Sequence, residues 1–410
     1  FFSSIVLLFL NKNINIKILK IFISSLFTLY LIEFFLIFYE KNPKIFIGKN
    51  YDDRSRIQVV EDLRKKDKKA TISIFPSVFL SNDKIIPVSG LSGRQTVLCN
   101  ENGYFAIYES DRYGFNNIDS NWENSQIDVL LIGDSHTHGL CVNYKDTIAG
   151  NLNKINSSLN VINAGMKANG PLIELASLRE IMNLNKKIDN VILILTSNDI
   201  DDLVAEKKNK ILINYLNDED FSQNLFSKQK ILDNLMIDFL AKTEKKSRKE
   251  DKYFDFKRHL KLTKLRMETI EVLFPTSQKV ISLINPDDVE LFLQIIDNFV
   301  LLSKKHQFSL DIFYMPGVTE FTEIKNQLYP SQINRNKSFE TIFEYIRKNN
   351  IGFYDLRDLF FKQKDDPLYY FNFMASRYDK RILNKRYGHL NEKGYEEVTK
   401  IIYEVINKLR

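Results

Sequence analysis

Cysteine is scarce. Cys99 and Cys141 are the only two among 410 residues, too few for a disulfide scaffold or a zinc cage. They could pair only in an oxidising compartment, and the expectation is two unpaired, small apolar side chains. Histidine is scarce as well, at five residues. No zinc-finger spacing, RNP-type aromatic motif or Gly-rich phosphate loop occurs. The net charge of +6 is spread through the chain rather than gathered in a stripe, so no nucleic-acid partner is expected. What is present is 44% hydrophobic and 27% charged residues. That suffices for one large domain with an insertion, or for two domains.

The N-terminal region is the most apolar. The chain opens on Phe1 rather than Met and is expected to be a fragment or a processed product. Residues 1–10 are apolar but too short to span a bilayer. Ile21–Tyr39 is an apolar run of 19 residues broken only by Glu33, close to the roughly 20 needed to cross one. A cleaved signal peptide is not expected, because "EKNPKIF" rather than a small-x-small site follows. Residues 1–44 are read as a single-pass anchor, with the span at 21–39. Lys12, Lys17 and Lys20 precede it. This favours a cytoplasmic start and an extracytoplasmic, periplasmic catalytic domain, although Lys41, Lys44 and Lys49 follow the span.

Residues 45–125 read as an N-terminal extension, with a helical pattern at Tyr51–Lys69, a short strand at Thr71–Phe75 and a turn at Gly114. From residue 126 to 410 the pattern changes. Strand-like apolar runs at Ile127–Ile132, Leu159–Asn163, Val191–Thr196, Leu310–Met315 and Gly352–Asp355 alternate with helical stretches. Buried strands alternating with helices predict a three-layer, doubly wound α/β domain with a parallel sheet. Residues 201–278 break the alternation and read as a helical insertion. It is either a solvated excursion, a cap over the site or a surface facing lipid headgroups.

The residues just after these strands carry the chemistry. Gly133-Asp134-Ser135 follows the first, Asn163-Ala164-Gly165 the second and Ser197-Asn198-Asp199 the third; His389 precedes the last helical stretch. Parallel strands bring their carboxyl ends to one edge, where ligands bind. A serine hydroxyl needs a base to become a nucleophile, and His389 is the candidate. The backbone N–H groups of Ser135 and Gly165, with the Asn198 side-chain amide, are candidate oxyanion donors.

In order and context these residues resemble the SGNH/GDSL hydrolase superfamily. "GDSHTHG" resembles its nucleophile block, "NAGMKANG" its glycine block, "SND" its Asn block and "GHLNEKG" its His block. The resemblance covers Ile127–Thr196 and about Leu310–Arg410. It implies a flavodoxin-like sheet and serine-dependent hydrolysis or transfer of an acyl ester, with no cofactor. The apolar anchor and the "DRYGFNN" stretch are similar to membrane-anchored, polysaccharide-associated members. The partners this resemblance implies are an acylated (acetylated) glycan or a small ester, and the membrane.

Two positions depart from the pattern. Thr196 stands where the family carries glycine. Tyr387 and Arg386 stand where it carries the Asp that orients the histidine. Asp379 from a nearby loop, a backbone carbonyl, or a Ser–His dyad without an acid are the open substitutes. The rival readings are an O-acetyltransferase for a surface polysaccharide, a catalytically degenerate glycan-binding or assembly protein, and a metallophosphoesterase built on Asp134-x-His136. The last would need more ligands at other strand ends, so no metal is expected. His136 and His138 are expected to flank the pocket or face solvent.

Each block also has a plain reading. Asp134 or Ser135, Asn198 and Asn391 are all suited to cap helices. Tyr369, Tyr370 and Phe371 are expected to pack against the sheet rather than stack on sugar rings.

Overall fold

The computed structural model describes residues 12–41, 52, 54–273, 284–320, 330–362, 367–373 and 387–408. Contacts divide the chain into two compact units. One holds the N-terminal helix and residues from Thr243 onward in the insertion. The other holds Arg54–Lys242 and the described parts of 278–374 and 386–410.

In the larger unit, β1 (Thr71–Ile72), β2 (Gln95–Val97) and β3 (Ile107–Glu109) form a small sheet. Its order is β1-β2-β3, with the first pair parallel and the second antiparallel. The principal sheet contains β4 (Gln126–Gly133), β5 (Val161–Asn163), β6 (Lys187–Thr196), β7 (Ser309–Met315) and β8 (Gly352–Asp355). It is parallel throughout, in the order β5-β4-β6-β7-β8. Beyond it, β9 (Phe371–Phe373) pairs antiparallel with β10 (Tyr387–Leu390).

Period-two alternation sorts the strand residues between two cores. Leu130, Ile132, Val191, Leu193, Leu195 and Ile312 enter one cluster with helices Pro171–Met182 and Pro286–His306. Val129, Leu131, Ile192, Ile194 and Phe313 enter the other with helices Ile148–Ile155 and Glu392–Lys408. Both faces are therefore covered, which makes the domain a three-layer α/β fold. The chain leaves β4 for β5 on one side, then returns to β6 on the other. This is the flavodoxin-like order, and the crevice at such a switch point is where ligands bind.

All five predicted sheet strands are present, with small changes at their starts: β6 begins at Lys187 and β5 at Val161. The short antiparallel pair β9–β10 was not predicted. The insertion contains helices Asp199–Glu206, Lys210–Asn217, Gln229–Leu260 and Thr263–Leu273, with no strand among its described residues. Its first part packs on the sheet unit. Arg179 donates to the Tyr215 and Glu219 carbonyls, and Glu180 accepts from the Leu225 N–H at 2.7 Å.

The smaller unit contains helix Lys12–Lys41. Its Ile16–Phe38 stretch is long and apolar enough to cross a membrane, and most of its large apolar side chains are exposed. Glu33 is fully buried. Its carboxylate accepts from the N–H groups of Lys264 at 3.0 Å and Leu265 at 2.6 Å. These belong to the first turn of helix Thr263–Leu273, where backbone donors lack intrahelical partners. Glu33, the one charge in Ile21–Tyr39, thus has a structural use as a cap.

Candidate active site

Gly133 ends β4, and the chain turns into the short helix Ser135–His138. Asp134 caps it, accepting from the His136 N–H at 2.9 Å. Gly139 closes it at φ +78°, a left-handed conformation suited to glycine. The predicted cap and the predicted nucleophile are therefore adjacent parts of one turn.

His389 lies in β10, one residue before its end, and Asn391 caps the following helix, accepting from Lys393 and Gly394 N–H groups at 3.0 Å each. The fold brings His389 Nε2 to 3.1 Å from Ser135 Oγ. On its other side, Nδ1 lies 3.0 Å from Glu101 Oε1, and the His389 backbone N–H donates to Glu101 Oε2 at 2.8 Å. An ionised carboxylate only accepts, so a neutral imidazole held this way keeps its proton on Nδ1 and turns a bare Nε2 toward Ser135 Oγ. Ser135 Oγ also lies 3.1 Å from Asp134 Oδ2. Its single proton goes to one acceptor at a time.

Glu101 was missed by the sequence reading. It lies in the loop between β2 and β3, outside the α/β pattern, and no spacing rule points to it. The available signal was Cys99. Cys99 and Cys141 form a disulfide, which corrects the expectation of unpaired thiols. Pairing them joins the loop of Glu101 to the segment just after the Ser135–His138 turn. Asp379, the acid offered from sequence, lies outside the described residues. Burial on its own would raise the Glu101 carboxyl, but the charge and hydrogen bonds of His389 outweigh it and hold it below its ordinary value.

The predicted oxyanion donors differ in availability. The Ser135 N–H opens a helical turn and has no carbonyl four residues back within it. The Gly165 N–H donates to Asn163 Oδ1 at 2.9 Å. The Asn198 amide donates to Asp134 Oδ2 at 3.2 Å and Asp202 Oδ2 at 2.8 Å. Either of the last two must release a present acceptor to reach an oxyanion. Gly165 also has a packing reason: a Cβ there would meet Thr137 Cβ and Cγ2 at 2.5 Å.

Thr196, the residue in the family's glycine position, forms a polar hub. Its Oγ1 lies 3.0 Å from Asp134 Oδ2 and 2.7 Å from Asp199 Oδ1, and its N–H donates to Asp199 Oδ2 at 2.7 Å. Burial, then the charge of Asp134, pushes Asp199 well above the carboxylate range. The Thr196 hydroxyl has one proton to donate and three acceptors within reach: Asp199 Oδ1, Asp134 Oδ2 and Asn198 Oδ1, the last at 3.0 Å. Glu174, also buried, is raised for the same reasons, burial first and then Asp199.

His136 and His138 are both buried, correcting the expectation that they line the pocket rim or face solvent. The His136 ring is 5.1 Å from that of His389, and burial followed by the charge of His389 lowers it to about 4. His138 packs edge-on against Tyr108, with ring centroids 5.5 Å apart, and burial lowers it to about 3. Among the described residues, no group of three or more His, Cys, Asp or Glu is arranged to hold a metal ion. Tyr370 and Phe371 are buried as expected, but Tyr369 is exposed.

The "DRYGFNN" stretch ties the extension to these loops. Asp111 accepts from Asn117 Nδ2 at 2.9 Å and Trp122 Nε1 at 2.6 Å. Asn117 in turn pairs with the Asn163 backbone at 2.7 and 3.0 Å.

No protein-family model and no curated protein matches the chain. Solved structures to which it is similar include a GDSL-like lipase from Bacteroides thetaiotaomicron, at 12% identity and TM-score 0.34, covering 71% of this chain and 95% of that one. Another is a member of the lipolytic protein G-D-S-L family from Veillonella parvula, at 11% identity and TM-score 0.32, covering 68% and 97%. A third is the acetyl xylan esterase AlAXEase, at 13% identity and TM-score 0.35, covering 68% and 99%.

Proposed function

We propose that this chain is an SGNH-type, serine-dependent hydrolase of acyl esters, with Ser135, His389 and Glu101 as its catalytic triad. One observation carries the reading: His389 lies within hydrogen-bond reach of Ser135 Oγ through Nε2 and of Glu101 through Nδ1. That relay of nucleophile, base and orienting acid activates a hydroxyl. His389 takes the Ser135 proton as Oγ attacks the ester carbonyl. The Ser135 N–H, with the amides of Gly165 and Asn198 once released, steadies the oxyanion. His389 then returns the proton to the leaving alcohol, and an acyl-Ser135 remains. Water, or a sugar hydroxyl, attacks that ester in turn with His389 again as base.

The degenerate, binding-only alternative drew its support from a missing acid, and Glu101 supplies one. The substrate class, an acetyl or related acyl ester of a carbohydrate, is the one implied by the sequence resemblance. The disulfide supports an oxidising compartment. With the lysines ahead of the apolar helix, it favours a membrane-anchored protein whose site lies outside the cytoplasm.

The test is the fate of acetyl groups on an acetylated glycan incubated with the full chain. Release of acetate by the parent and not by Ser135→Ala is the expected result. Movement of acetyl to a second glycan with no acetate release would make the protein a transferase. Binding of glycan with neither outcome would sink the enzymatic reading.

A further inference from the structure

The loop that carries Glu101 is tied on both sides of that residue, once to the segment after the Ser135–His138 turn and once to the helix that follows His389. It is a hairpin tip: Leu98 and Ala106 pair across its base at 2.9 Å, and Ala106 donates back to Cys99 at 2.8 Å. One tie is the bond from Cys99 to Cys141, on the segment leaving the Ser135–His138 turn. The other is made by Asn102 Nδ2 and Tyr104 OH, which both donate to Glu392 Oε1, at 3.3 and 2.6 Å. Glu392 opens the helix that follows His389. Glu101 sits between the two ties.

Hairpin tips have little core of their own to hold them. Here Glu101 is nevertheless held to hydrogen-bond tolerance against an imidazole. Cys141 holds φ at +65°, a conformation disfavoured for a side chain with a Cβ, and it is fully buried among Leu98, Ala106, Tyr108 and Leu140. Its bond to Cys99 crosses from this fixed point to the tip.

We propose that closing the Cys99–Cys141 disulfide is the step that seats Glu101 against His389, so that the site is armed only in the oxidised chain. This rests on the triad reading above. Cys99 and Cys141 are then positioning residues, acting through Glu101. Reduction by a dithiol breaks the S–S bond, leaves two thiols and closes the reductant to its own disulfide. The reverse, with a disulfide oxidant taking the two electrons, arms the site. A chain still in a reducing cytoplasm would be inactive until export.

The experiment uses the full chain in detergent, oxidised and dithiol-reduced, beside Glu101→Gln. It reads the low-field proton resonance of the imidazole Nδ1–H, the rate of serine acylation by a fluorophosphonate, and far-UV circular dichroism. The oxidised parent should show the resonance, and Glu101→Gln should lack it. Reduction should abolish it and slow acylation by about 10- to 100-fold. The acylation rate of Glu101→Gln should be insensitive to reduction, because the acid is already gone. A second variant, Cys99→Ser/Cys141→Gly, repeats the comparison without reductant, its glycine accepting the positive φ freely.

Equal resonance and rate in both redox states would overturn the proposal. So would the same slowing in Glu101→Gln, which would make the bond a general stabiliser, and so would loss of native circular dichroism in both disulfide-free forms, which would make it a folding staple. An oxidised parent that shows the resonance but takes no fluorophosphonate would instead fail the triad reading, while the resonance still reports whether the bond seats Glu101.

Discussion

At the scale of residues, the site contains two carboxyls shifted in opposite directions. Glu101 is held low by His389 after burial is overcome. Its stabilising contribution is present above the ordinary value and is lost as pH falls through the lower folded one. Glu174 is held high, by burial first and Asp199 next, and neither of its oxygens has a hydrogen-bond partner among the described residues. For a raised acid the sign reverses: the folded state binds a proton that the unfolded state has released, so stability falls as pH rises above the ordinary value near 4.5. Glu174→Gln, which stays neutral, should therefore gain on the parent between pH 5 and pH 8 in urea unfolding, by about 1 kcal/mol or more at the upper end. A constant difference across that range would contradict it. The residue scale is also where sequence legibility was most uneven. Ser135 and His389 were readable because one follows a strand-like apolar run and the other precedes the last helical stretch, each in a recognisable block. Glu101 was not, because a hairpin tip has no periodicity, and its proximity to His389 depends on a disulfide that spacing alone does not reveal.

At the scale of elements, the principal sheet was legible because buried parallel strands are continuous apolar runs. β9 and β10 were not: they are short, and β9 carries Asn372 between its aromatics. The insertion read correctly as helical, but its partition was hidden. Nothing in its composition separates the part packed on Arg179 and Glu180 from the part capped by Glu33. The loop after β5 is sensitive to a small change. A Cβ at Gly165 would overlap Thr137 and approach the His138 N at 2.7 Å, pushing the loop off the nucleophile turn. Gly165→Ala should destabilise the protein by about 1–3 kcal/mol in urea unfolding and lower turnover with it. Parent-like stability would show that the loop and turn separate freely.

At the scale of the whole molecule, a parallel sheet aligns the ends of β4 and β6, and a crosslinked extension brings Glu101 to His389. An apolar helix of membrane-spanning length accompanies them in a second unit. The central claim is that these parts assemble an activated serine, and intact-mass analysis after fluorophosphonate treatment tests it most directly. The parent should gain one adduct, mapped to Ser135 and absent from Ser135→Ala. In His389→Ala and Glu101→Gln it should form more slowly by about 10²-fold or more. No adduct on a folded parent, or one that persists in Ser135→Ala, would contradict the account.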